Sequence, residues 1–141
     1  MQAERARIRR LQRLEKVRAL AKRQATADSA SAEEHLAQLQ RLAAKTQTML
    51  AEYRGRTSLT DGLELRQLAQ FVTGLNGISA VTHGDAEQAR QWADQKQQEL
   101  AQAERRRAAV EDRIRTGKTA LAQRLVQPVL GSRRAVGTGL E

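Results

Sequence analysis

Three observations predict an all-α fold: an elongated antiparallel two-helix coiled-coil hairpin with a short helix in the connecting segment. Apolar residues recur at alternating steps of three and four along two long stretches, the period of helices buried along one stripe. Ala, Leu, Gln, Glu, Lys and Arg dominate, with one proline and only three aromatics (Tyr53, Phe71 and Trp92) in 141 residues. That composition suits long helices and is too poor in bulky side chains for a thick globular core. A single break rich in Gly, Ser and Thr separates the two stretches, so the chain folds back on itself. The expected organisation is one hairpin domain over 1–130, with arms at about 4–53 and 85–127, a connecting segment at 54–84 and a disordered basic tail at 131–141.

In the first arm, positions 11, 14, 18, 21, 25, 28, 32, 35, 39, 42, 46, 49 and 53 form the expected seam, leucine-rich near each end and small or polar in the middle. Asp28, Ser29 and Ser31 are poor helix formers, and Ser31 with Glu34 resembles a capping box. The stepping keeps its phase through 26–31, which predicts one continuous helix. Arg54–Gly62 reads as a loop carrying Gly55, Thr57, Ser58 and Thr60. Asp61-Gly62-Leu63-Glu64 then opens the short helix, with Leu65, Leu68, Phe71, Val72 and Leu75 on one face. Gly74 and Gly77 weaken its end, each by about 1 kcal/mol relative to alanine.

The second arm is expected to start at Asp85, with Gln88 three residues on, after a flexible Thr82-His83-Gly84. Its seam reads Ala86, Ala89, Ala93, Lys96, Leu100, Ala103, Arg107, Val110, Ile114, Gly117, Leu121 and Leu125. It should end near Gln127, because a residue before proline disfavours helix. Arms of this size would be about 60–75 Å long. The alanines bring the helices close but bury little area, and Arg18, Asp28, Lys96 and Arg107 weaken the seam, so a marginally stable hairpin that frays at its basic end is expected.

Charge is segregated. Residues 1–23 carry nine Lys/Arg against two acids, residues 103–141 nine against four, and the stretch between them seven against ten. The hairpin brings both basic ends to one pole, a form suited to docking on something acidic. Nucleic acid is the weaker alternative, since no aromatic interleaves with the basic residues and no known module is present.

Several chemistries find no support. Thr116-Gly117-Lys118-Thr119 ends like a phosphate-binding loop, but position 112 is Asp and the quartet lies mid-helix. His35 and His83 have no companions for a metal site, and no nucleophile stands near a base. No cofactor and no catalysis are expected. Without cysteine there are no disulfides. No apolar run approaches the roughly 18 residues of a membrane span, and no hydrophobic stretch follows the basic N-terminus as a secretory signal would require. The cytoplasm is the expected compartment.

Glu52-Tyr53-Arg54, then a polar loop, then Gln67-x-x-x-Phe71-x-x-x-Leu75 and a Gln-rich second arm with Trp92 resemble the FliJ family of flagellar export proteins, over roughly 5–127. Gly74 and Gly77 depart from the more regular helix of that family. The resemblance implies a non-enzymatic, stalk-like coiled coil of a type III export apparatus, held peripherally at the inner membrane. It implies three partners: the hexameric export ATPase, the cytoplasmic linker of the transmembrane export gate, and export chaperones. On this reading the gate-facing residues are Met49, Tyr53, Phe71, Leu75 and Ile78. The ATPase-facing residues are Arg5, Arg7, Arg9, Arg10 and Arg13 beside Arg124, Arg133 and Arg134. The injectisome relatives share this plan. A basic nucleic-acid-binding coiled coil and a homodimeric structural coiled coil are the readings from other classes, and the hairpin itself predicts a monomer.

Overall fold

In the computed structural model the chain is all-α, with two helices that pack antiparallel along each other, α1 (Gln2–Arg54) and α2 (Gly62–Gly137). The structure describes residues 1–56 and 61–137, with side chains up to 127. Thr57, Ser58 and Thr60 of the expected loop lie outside the described residues.

α1 is continuous through 26–31, as its phase predicts. Ser29 and Ala32 are buried there, so the small residues that depress helix propensity are the ones a close helix pair accommodates. The chain leaves α1 at Gly55, whose N–H donates to Ala51 O at 3.1 Å. α2 opens on the expected cap, with the Glu64 N–H donating to Asp61 Oδ1 at 2.8 Å and the Leu65 N–H to Asp61 O at 3.3 Å.

Three expectations for α2 are corrected. Among the described residues the connecting segment holds no separate short helix, no break occurs at Thr82-His83-Gly84, and no helix starts at Asp85; α2 runs through all of them as 76 residues against 53 in α1. The seam explains this. Leu68, Val72, Leu75, Ser79 and Thr82 precede Ala86 in the same four-three alternation, and every one is buried or half-buried. A helix whose buried stripe stays in phase has no reason to end, and three glycines at about 1 kcal/mol each do not outweigh it. The helix also passes Pro128 and continues to Gly137, so the expected stop at Gln127 and the disordered 131–137 are corrected as well. Proline-containing helices of this kind forgo one backbone hydrogen bond rather than terminate. Residues 138–141 lie outside the described residues.

The seam of α1 is corrected in part. The line 4, 8, 11, 15, 18, 22, 25, 29, 32, 36, 39, 43, 46, 50 and 53 is buried or half-buried throughout, a strict heptad alternation, with 6, 14, 19, 28, 37 and 49 half-buried on its flanks. One expected line (11, 18, 25, 32, 39, 46, 53) is right. The other (14, 21, 28, 35, 42, 49) is the flanking line one residue away, on which Ala21, His35 and Leu42 are exposed. In α2 the seam from Ala86 to Leu121 is as expected, while Leu125 is exposed.

The chain divides into two compact units, residues 1–25 with 100–141, and residues 26–99. In the first, Ile8 packs on Gly117 and Glu4 pairs with Arg124, which places the N-terminal and C-terminal segments side by side. In the second, Gln47 Nε2 donates to Ser79 Oγ at 2.9 Å, Arg54 Nη2 to Asn76 Oδ1 at 3.0 Å and Gln97 Nε2 to Glu33 Oε1 at 2.9 Å.

Candidate functional site

Two surfaces stand out, one in each unit. In the terminal unit, eighteen Lys/Arg meet six Asp/Glu, a net charge of +12. Heptad geometry sorts these charges. Both acids of residues 1–25, Glu4 and Glu15, take seam positions and are half-buried, whereas Arg5, Arg7, Arg9, Arg10, Arg13, Lys16 and Arg23 are exposed. The outer face of α1 in this unit is therefore positive without internal neutralisation. Arg9, Arg10 and Arg13 line one open groove with Ala6.

The inward acids are engaged. Glu4 Oε1 pairs with Arg124 Nη1, while Glu4 Oε2 is buried without a hydrogen-bond partner. Arg107 Nε lies 3.4 Å from Glu15 and 3.1 Å from Glu111, close enough for attraction but not aligned as a hydrogen bond. Arg18 Nε is buried and unpartnered. Charged groups at seam positions cost stability unless fully paired, and they fix the register in which the helices meet. Of the expected cationic residues, Arg124 is thus spent on Glu4, the five N-terminal arginines are exposed, and the Arg133 and Arg134 side chains lie outside the described residues.

In the second unit two of the residues read as gate-facing, Tyr53 and Phe71, form an aromatic pair. The Tyr53 and Phe71 rings lie 4.6 Å apart at 56°, and the Arg56 guanidinium sits 4.3 Å above the Tyr53 ring. Phe71 remains 44% exposed and Ile78 51%. Met49 is half-buried on the flank, and Leu75 is buried in the seam, so Leu75 positions α2 beneath this surface rather than forming part of it. Leu63 and Val81 are exposed apolar residues of the same unit that the sequence pattern left unassigned, and Leu65, expected on one face with Phe71, and Leu42, expected in the α1 seam, are exposed as well. Further along, Trp92 stands edge-on to His35 with ring centroids 6.2 Å apart.

Among the described residues, no group of three or more His, Asp or Glu is placed to hold a metal ion, and no helix is long and apolar enough to cross a membrane. The class defined by fold and surfaces is an all-α, antiparallel two-helix protein with one strongly cationic unit and one unit bearing an aromatic, apolar surface. No family model matches the chain, and no curated protein or solved structure was found to be similar to it.

Proposed function

We propose that this protein is a non-enzymatic coupling component of a bacterial type III export apparatus of the FliJ kind. It works in the cytoplasm, held at the inner membrane through that apparatus. The observation that carries the proposal is the sorting of charge in the terminal unit, where the acids turn inward and the arginines outward. Such a face suits an acidic protein cavity, and on this reading it enters the pore of the hexameric export ATPase. Two helices cannot match sixfold symmetry, so ring subunits contacting them unequally are biased toward different conformations, which favours ring assembly and turnover. The Tyr53–Phe71 surface with Met49 and Ile78 would meet the cytoplasmic linker of the export gate, and export chaperones are further partners of the same reading.

The test is ATP hydrolysis by the cognate ring with and without this protein. Stimulation is expected, and it should fall at least tenfold in apparent affinity when Arg5, Arg9 and Arg13 are all changed to Glu. Absence of stimulation, or stimulation indifferent to that change, would sink the proposal.

A further inference from the structure

The terminal unit contains a cavity of about 390 Å³ between α1 and α2. Its floor is apolar, formed by Ile8, Leu11 and Gly117, with Ala120 on the exposed rim. Gly117 occupies a seam position of α2 and the Ile8 side chain lies over it, 3.4 Å from where a β-carbon would stand, so the cavity opens beside the Ile8–Gly117 contact. The volume lies in the range of sites that take a bulky group.

The rim charges are unequal in a decisive way. Its two acids are already engaged within the chain, Glu4 by Arg124 and Asp112 by Arg115 at 3.4 Å. Arg7 and Arg113 also line the cavity, are exposed, and have no ion-pair or hydrogen-bond partner among the described residues. The contact of Ile8 with Gly117 sets the helix register and puts these two arginines about 7.5 Å apart along the axis.

We infer that this cavity receives an acidic amphipathic helix of a partner protein. One of its large apolar side chains fills the space beside the Ile8–Gly117 contact, and carboxylates four to five residues apart reach Arg7 and Arg113. Two features favour this occupant. A groove between two packed helices accepts a third helix by the same knobs-into-holes geometry, and the free charges are positive at both ends of an apolar floor. The inference rests on the docking role proposed for this unit and deepens it, since it replaces general attraction by a shaped site.

The experiment uses the full chain and a fluorescent 21-residue helical peptide with leucine along one stripe and glutamate on its flanks. Saturable binding is expected. Arg7→Glu with Arg113→Glu should weaken it at least tenfold, and Gly117→Leu, which fills the cavity without altering charge, should do the same. Ala120→Gln obstructs the opening from the exposed rim without altering charge and should also weaken binding at least tenfold, which covers the case in which Gly117→Leu disturbs folding. A peptide with glutamine for glutamate should bind at least tenfold more weakly. Binding unchanged by Gly117→Leu and Ala120→Gln would overturn the inference. So would an equal loss on changing Arg9 and Arg13, outside the cavity, because attraction would then be general. Ring stimulation that survives Gly117→Leu would refute this site and leave the coupling role standing. Peptide capture without any ring stimulation would do the reverse.

Discussion

Glycine at 74, 77 and 84 is the most telling choice at the scale of single residues. All three lie inside α2, and a β-carbon built at any of them meets nothing within 4 Å. Neither close packing nor a positive φ explains them, since none of the described residues has one. Each forgoes about 1 kcal/mol of helix stability relative to alanine. Gly74→Ala and Gly77→Ala should therefore each raise stability by roughly 0.5–1 kcal/mol, seen as a rise of about 3 °C in a thermal melt followed by circular dichroism. An unchanged or lower melting temperature would mean that a side chain there meets something the packing does not reveal. The adjoining exposed residues, Phe71, Ile78 and Val81, lie in the same stretch, so a locally weak helix coincides with the apolar surface. A helix that yields there would adapt to a partner at low cost.

At the scale of elements, the decisive point is that α2 does not stop at Thr82-His83-Gly84. Thr82 is 4% exposed and lies in the seam. Thr82→Pro removes a helix hydrogen bond and places a ring against the preceding turn, so it should cost about 3 kcal/mol or more in urea unfolding. In a flexible linker the same change would be nearly neutral. The break was misread because Ser79, Thr82 and Gly84 carry the composition of a loop, while the buried stripe through Ser79, Thr82 and Ala86 keeps heptad phase. Phase outweighs composition here because the Gln47 amide satisfies the buried Ser79 hydroxyl. A related bias displaced half of the α1 seam. Leu14, Leu42 and Met49 drew the line through the flank, whereas closely spaced helices bury small or charged groups such as Lys22, Ser29 and Ala43. Helix class, the continuity of α1, the Asp61 cap and the α2 seam from Ala86 to Leu121 were legible, because each follows from local chemistry or periodicity. The Tyr53–Phe71 pairing and the cavity beside Gly117 were not, because each depends on which residue of the other helix stands opposite, Phe71 in one case and Ile8 in the other.

At the scale of the whole molecule, charge is distributed by unit, with +12 in the terminal unit and seven Lys/Arg against ten acids, −3, in the other. Two effects of salt oppose each other in the terminal unit. Screening weakens the attractions of Glu4 to Arg124 and Arg107 to Glu15, and it also relieves repulsion among the outward arginines. The arginines are exposed and the paired acids half-buried, so screening acts more strongly on the repulsion. The terminal unit should thus gain stability as ionic strength rises from about 0.01 M to about 0.3 M, over which the Debye length falls from roughly 30 Å to below 8 Å. Amide hydrogen exchange resolves this by unit. Exchange across 1–25 and 100–127 is expected to slow several-fold, while exchange across 26–99 changes little. Faster exchange in the terminal unit at high salt would show that the seam ion pairs, not the outward charge, govern its stability. An acidic partner lining this face would then stabilise it no better than salt does, and the physical reason for placing seven bases outward in residues 1–25 would be lost.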